Sequence, residues 1–309
     1  MRYLGCLVAL PGERTKLNLR RVRALLATIV LFAAPIAAVR ADGPAVSTLN
    51  GKLSTEGGAT GGGGASSGVG IANGSITTPL GHAFGLQVDG SAGTAFNGFF
   101  GGGTTHLFWR DPQVGLFGPV ASLRAGGGFR LGWYGAEAEL YAGLFTLGAW
   151  GGYHDVVNGG LGLTAGSGFY GGSLKVYPVP DLALSIGASS EFDRVTGTGG
   201  LEFQPDLFAR HNVSFFINGN VGDSSTYSVT AGVRLYFGPD KPLIRRHRED
   251  DPPTGIGGAP WDEVSQQVAA LFGAYAQQYQ ALANQAAQFH QQFQQMQQGQ
   301  QGQQGQQGN

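Results

Sequence analysis

Residues suited to chemistry are few in this chain and stand far apart. His154 beside Asp155 is the pairing nearest to acid–base catalysis. No second acidic pair stands at a strand end, and Ser167 has no nucleophile motif around it. The expectation is a solvated loop at that position and no enzyme. The six histidines are scattered and none shows a metal-ligand spacing such as His-x-x-x-His. Gly101-Gly102-Gly103 and Gly126-Gly127-Gly128 lack a following Lys-Ser/Thr and open no helix, so neither is a phosphate loop. No metal and no cofactor are expected.

Isolated charges on strand-like segments say more. Asp89, Arg110, Glu137, Glu139, Lys175, Glu191, Glu202 and Arg234 each sit on the polar face of a segment whose other face is apolar. Glu137 and Glu139 oppose Ala136, Ala138 and Leu140. Glu202 opposes Leu201 and Phe203, and Arg234 opposes Val233 and Leu235. If the strands close into a barrel, these charges face its interior. There they either pair to fill a packed lumen or line a narrow aqueous path.

The elements that would hold them recur from Val46 to Phe237. Twelve period-2 segments lie near Val46–Ser54, Ser67–Thr78, His82–Ser91, Phe99–Arg110, Gly115–Arg124, Phe129–Tyr141, Leu144–Tyr153, Gly168–Tyr177, Leu182–Phe192, Thr196–Gln204, Asn212–Val221 and Tyr227–Phe237. Their connections alternate in kind. One set is built mostly on tight proline or glycine turns, such as Pro79-Leu80-Gly81, Asp111-Pro112-Gln113, Ala142-Gly143 and Pro205-Asp206. The other set is rich in Gly, Ser, Thr and Asn and reads as longer loops, such as Gly57–Ala65 and His154–Ala165. A meander places alternate turns at opposite ends, and short turns at one end with longer loops at the other suit a membrane barrel. A secreted sandwich or soluble barrel has the same period, with its apolar face turned to a core instead.

Composition and targeting favour the membrane. Charged residues make up only 13 %, against about a quarter in soluble domains, and the formal net charge is −1. No global charge argues for nucleic acid. No stretch after the N-terminus reaches the roughly 18 apolar residues of a membrane helix. Arg20, Arg21 and Arg23 precede the apolar run 24–38, and Val39-Arg40-Ala41 then offers small residues to a signal peptidase. Residues 1–41 are therefore expected to be a signal peptide cleaved near Ala41. The single cysteine, Cys6, lies within it, so the mature chain would carry no thiol.

Beyond Phe237 the composition changes. Residues 239–259 read as a charged Pro/Gly linker, in which Arg245, Arg246 and Arg248 either meet acidic headgroups or cell-wall polymer at the periplasmic face or pair with Glu249, Asp250 and Asp251. Residues 260–298 read as an amphipathic helix opened by Pro260. Its stripe includes Trp261, Val264, Val268, Phe272, Tyr275, Tyr279, Leu282, Phe289 and Phe293, with Gln and Ala on the other faces. Such a face wants a partner, through self-association, the barrel mouth or another periplasmic protein. Residues 299–309 form a Gln/Gly tail of disordered composition.

Two resemblances sharpen this. Thr230-Ala231-Gly232-Val233-Arg234-Leu235-Tyr236-Phe237 resembles the closing-strand signal of bacterial outer-membrane barrels, with Thr230, Gly232, Leu235 and Phe237 at the signature positions. The resemblance implies recognition by the barrel assembly machinery, here at an internal position. Pro79-Leu80-Gly81-His82, residues 86–90, residues 106–112 and the stretch from Tyr236 to Pro252 resemble a family of uncharacterised alphaproteobacterial outer-membrane proteins. That family implies a location and supplies no ligand.

The sequence thus predicts an all-β, antiparallel up-and-down transmembrane barrel of about twelve strands over residues 42–238. A C-terminal amphipathic helix and a disordered tail follow. The expected place is the outer membrane of a Gram-negative cell, in contact with its lipid, with both termini periplasmic. The expected function is a structural or narrow small-solute channel protein. The competing class is an adhesion or interaction protein, acting through surface loops or the C-terminal helix.

Overall fold

The computed structural model describes residues 43–250, apart from 63–64, 96–97, 127, 159–162, 192–193 and 207–211, together with a few helical residues between 284 and 291. The expected signal segment, the Gln/Gly tail and most of the expected C-terminal helix lie outside the described residues. Asn284, Gln285, Ala287, Gln288, Phe289 and Gln291 are helical and exposed, in keeping with a helix there.

Twelve strands form one closed antiparallel barrel: β1 (Asn50–Gly62), β2 (Ala65–Leu80), β3 (Phe84–Ala95), β4 (Gly98–Asp111), β5 (Gly115–Gly126), β6 (Phe129–Ala142), β7 (Phe145–Asn158), β8 (Leu163–Val179), β9 (Leu182–Glu191), β10 (Arg194–Phe203), β11 (Val213–Gly222) and β12 (Thr226–Phe237). Each strand pairs with its sequence neighbours, and β1 pairs with β12 from Gly51↔Phe237 to Gly61↔Tyr227. An even strand count puts the start of β1 and the end of β12 at the same end, here called the terminal end. A short helix, α1 (Leu243–Glu249), follows β12.

The two faces of the wall are inverted relative to a soluble protein. In β12, Val229, Val233, Leu235 and Phe237 point outward and are between 39 % and 54 % exposed. Ser228 and Thr230 point inward and are 2 % exposed. The same alternation puts Leu53, Val88, Leu107, Leu123, Leu140, Leu147, Ile186 and Ile217 outside. In water such a surface would lose about 1.5–3 kcal/mol of transfer free energy per large side chain. Against hydrocarbon it is the stable arrangement.

Aromatic residues border this belt. Phe84, Phe145, Phe203 and Phe237 face outward near the terminal end, and Phe99, Tyr134, Tyr153, Tyr170 and Tyr227 face outward toward the far rim. Tyr227 and Phe237 lie on the same strand. At about 3.3 Å per residue and a tilt of about 40°, the ten-residue step between them spans about 25 Å of height. That is the depth of an outer-membrane apolar band.

Three expectations need correction. The Gly/Ser-rich stretches are not long loops, because backbone pairing carries the strands through them. Most far-rim connections are two or three residues, and the longest is 159–162. The longest connection of all, 204–212, is at the terminal end, where a tight turn at Pro205-Asp206 was expected. His154 and Asp155 belong to β7 and not to a loop. Finally, the first strand starts at Asn50, and Val46 sits in a segment that enters the barrel mouth. By contrast, Gly143 does make the expected tight turn, at φ +57°.

Closure requires backbones at close range. A Cβ on Gly58 would run into the Val229 carbonyl oxygen and lie 2.8 Å from Thr230 Cα across the β1–β12 seam. Gly58→Val should lower barrel stability by about 1–3 kcal/mol, measured as an earlier urea transition of the folded band in gel mobility. Gly90→Val, where a Cβ meets nothing within 4 Å, should change it little.

Candidate functional site: the charged lumen and its closed mouth

Strand parity sends most of the charged side chains of the wall inward, and the barrel interior gathers them into four groups. In the first, His106 lies between two carboxylates, with Nε2 2.9 Å from Asp89 Oδ2 and Nδ1 2.7 Å from Glu137 Oε1. Gln87 donates to Asp89 at 3.0 Å and accepts from Thr77 at 2.8 Å. In the second, Glu202 accepts hydrogen bonds from Ser214 at 2.6 Å, Tyr236 at 2.7 Å and Arg234 at 2.6 Å. In the third, Trp133 Nε1 donates to Glu191 at 3.4 Å while the Arg124 guanidinium lies 5.0 Å from the Trp133 ring. In the fourth, Glu56 accepts from Thr230 at 2.6 Å and from Asn73 at 3.3 Å.

These groups surround a cavity of about 340 Å³ inside the barrel. Asp89, Glu137, Lys175, Glu191, Glu202 and Arg234 line it, as do Lys52, Glu56 and Arg124. Anions and cations alternate around it, so no single sign of charge dominates. Arg110 and Glu139 are also interior but sit toward the mouth. Arg110 donates to the Ala45 carbonyl at 3.2 Å and stacks over Phe108, and Glu139 accepts from Tyr141 at 3.0 Å. All eight charged residues singled out in the sequence face inward.

The terminal end of the lumen is occupied by the chain itself. Residues 43–49 enter the mouth: Ala45 N–H donates to the His82 carbonyl at 2.7 Å, and Val46 packs with Phe108, Leu116 and Tyr141. From the other side α1 buries Leu243 against Tyr177, Ala183 and Tyr236. Asp181 accepts from the Leu243 N–H at 3.1 Å, and the Pro180 carbonyl accepts from Ile244 at 2.9 Å. His247 Nδ1 lies 2.9 Å from Tyr177 OH and its Nε2 3.5 Å from Glu202. Lys241 then clasps the two chain segments together. It reaches Ser47 at 2.7 Å and Asp250 and Glu249 at 2.9 Å each.

The segment expected as a charged linker therefore contains a docked helix. Arg245 does pair with Glu249, at 2.7 Å. Arg246 and Arg248 instead turn to the barrel. Arg246 stacks over Tyr236 at 4.4 Å, and Arg248 donates to the Phe145 carbonyl at 2.7 Å and lies over Tyr141 and Tyr177. Burial pushes the Glu249 carboxyl up, but Arg245 and Lys241 outweigh it and hold it below its ordinary range.

Sequence reasoning missed His106, Arg124, Lys52 and Glu56 in the lumen. The signal was present as parity: His106 shares a face with Arg110, and Arg124 with Ser122. It also missed Lys241 and His247, for which no local pattern speaks, and it offered Asp250 only as a partner of the linker arginines. Of the four signature residues in the closing strand, Thr230 faces inward, Gly232 faces inward close to Phe216, and Leu235 and Phe237 face outward. In the expected partner stripe Phe289 is helical and 70 % exposed, while Trp261, Val264, Val268, Phe272, Tyr275, Tyr279, Leu282 and Phe293 lie outside the described residues. No group of three or more His, Cys, Asp or Glu among the described residues is placed to hold a metal ion.

Comparison with known proteins gives two separate likenesses. Residues 247–304 match the model of the PE family. Two PE-PGRS family proteins of Mycobacterium tuberculosis are 56 % and 62 % identical over 42 and 41 residues, which is 14 % and 13 % of this chain. The chain spans only 7 % and 8 % of the length of those proteins. Among solved structures, a KdgM porin is similar with a TM-score of 0.45 at 11 % identity, over 60 % of this chain and 98 % of that one. An outer membrane channel from Pseudomonas putida F1 gives 0.46 at 12 %, over 65 % and 100 %. The translocator domain of the autotransporter NalP from Neisseria meningitidis gives 0.41 at 12 %, over 73 % and 96 %. None of these matches supports the alphaproteobacterial origin expected from the sequence.

Arg234 carries the second group. Its side chain is 19 % exposed and that of Glu202 is 11 % exposed. Arg234→Met leaves Glu202 with a buried charge and should cost about 3 kcal/mol. Adding Glu202→Gln should recover part of that loss. Denaturant gel-shift titration of the two single variants and the double variant measures it, and strictly additive losses would contradict the coupling.

Proposed function

We propose that the protein is an integral barrel of a bacterial outer membrane and acts as a narrow small-solute channel that is closed at rest. One observation carries this reading: a wall apolar and aromatic on the outside encloses a cavity of about 340 Å³ lined by Lys52, Asp89, Glu137, Lys175 and Arg234. Polar lining without a lipid-facing exterior would suit a soluble barrel. A lipid-facing exterior around an apolar packed interior would suit a purely structural one. The mixed signs of the lining favour small polar or zwitterionic solutes over strong ion selectivity.

The terminal end is read as periplasmic, because both barrel termini and the charged segment lie there. Closure is read from the mouth. Residues 43–49 and α1 obstruct the path, and the Lys241 clasp to Ser47, Glu249 and Asp250 holds them. A second reading, interaction through the tail, draws on the match of residues 247–304 to the PE family, which starts inside α1. Adhesion through loops draws no support from far-rim connections of two to four residues.

In planar bilayers the purified protein should show a small, mostly closed conductance. Lys241→Met, which removes the clasp, should raise open probability several-fold, and a large, stable pore in the unaltered protein would sink the closed-channel reading. Acid should act in the same direction. Glu249 is held below its ordinary range by its partners, so its contribution to the docked state is full above that range. It is lost as pH falls through the lowered value. Open probability recorded along a descending pH series should rise below the ordinary glutamate range, and Glu249→Gln should flatten the rise.

A further inference from the structure

Toward the far rim, side chains from three consecutive strands converge on the inner face. His154 of β7 and Ser167 of β8 are direct register partners, and His154 Nε2 lies 2.7 Å from Ser167 Oγ. Glu191 ends β9 and places Oε2 3.9 Å from His154 Nδ1. His154 is fully buried, and its ring stacks on Phe169 with centroids 5.7 Å apart and 11° between planes. That packing fixes the imidazole plane. Trp133 donates to the same Glu191 oxygen and steadies it.

A hydrogen-bonded cross-strand pair alone is ordinary in a sheet. Three further features exceed it. The carboxylate stands on the side of the imidazole opposite the serine, 3.9 Å from Nδ1, which is beyond hydrogen-bond reach here and within a small side-chain shift of it. Ser167 is only half-buried on the inner face, Gly166 and Gly168 being turned to the opposite one. Finally, β8 starts at Leu163, but its register with β9 starts only at Tyr170↔Ser190. Backbone N–H groups alternate in direction along a strand. Among the described residues the β8–β9 ladder gives no partner to the N–H groups before Tyr170 that point toward β9, and a donor of that kind is what the oxyanion would need.

We propose that Ser167, His154 and Glu191 form a hydrolytic site for small, water-soluble carboxylic esters. Lipid is not the substrate, because Tyr153 and Tyr170 face the lipid side while Ser167 faces the lumen. With its own proton on Nδ1, His154 Nε2 accepts the Ser167 proton as Oγ attacks the carbonyl carbon. The carbonyl π pair moves onto oxygen. Collapse breaks the ester C–O bond, and His154 returns the proton to the departing alcohol, leaving an acylated Ser167. Water then adds to the acyl carbon, giving its proton to His154. Collapse breaks the acyl–Oγ bond, releases the acid and restores the Ser167 hydroxyl. Glu191 is a positioning residue that draws closer as the imidazolium forms. This site is independent of conduction, since it sits at the opposite end of the lumen from the clasp.

The test uses the full-length protein in detergent, with a fluorophosphonate probe and p-nitrophenyl acetate. The unaltered protein should be labelled on Ser167, as located by mass spectrometry, and should hydrolyse the ester. Ser167→Ala should abolish labelling. His154→Gln should slow hydrolysis by about a hundredfold or more, and Glu191→Gln by less, with a shifted pH profile. Ser67→Ala should leave both unchanged. Heat-modifiable gel mobility checks that each variant is folded. Absence of labelling in the unaltered protein, an adduct on a different serine, or hydrolysis that survives Ser167→Ala would each overturn the proposal. Mapping the adduct on the unaltered protein decides the matter even if a variant fails to fold.

Discussion

The pairing of β1 with β12 is the interaction on which the rest depends. In hydrocarbon an unpaired backbone group costs several kcal/mol, and an open sheet has two edges of them. The register from Gly51↔Phe237 to Gly61↔Tyr227 removes both edges at once. It also sets the circumference and the parity of every strand. Parity in turn decides that Leu235 faces outward and Arg234 meets Glu202. A slip of one residue along any seam would exchange those two environments. The glycines at this seam allow the backbones to meet at sheet distance where Gly58 crosses Val229 and Gly232 crosses Thr55.

Once parity is fixed, the interior has to satisfy what it receives. His106 between Asp89 and Glu137, and Glu202 beneath Ser214, Tyr236 and Arg234, show how this is done. Each charge has neighbours on other strands of the wall. The interior is therefore a cross-bracing of the wall as well as a lining. The same polar groups leave a cavity between them, so mechanical support and solute path are compatible.

The barrel was legible in the sequence because period-2 alternation is a property of single strands. Val229 to Phe237 declares its two faces without reference to any other segment, and twelve such segments give the twelve observed strands. Loop and strand were confused where glycine dominates, as at Gly57–Ala65 and around His154. Glycine has no side chain to show a face, and only pairing with the neighbouring strand reveals the extension. The mouth was opaque for a different reason. Lys241, Ser47 and Asp250 have no shared local pattern, and they meet only because the barrel brings both termini to one end. Ser167 and His154 were likewise noticed singly, and it is the β7–β8 register that joins them.

The clasp at the mouth has a kinetic corollary. Ser47 and Asp250 are 203 residues apart in sequence. With β1 already joined to β12, the effective loop between them shrinks to the few residues before Asn50 and the dozen or so after Phe237. The entropy of closing that loop falls by about 2 kcal/mol relative to the open chain. The cap is thus less favoured on an unfinished barrel than on a finished one. The clasp is therefore biased to form after the seam is complete rather than before it. Occlusion in this fold is a report that assembly has ended.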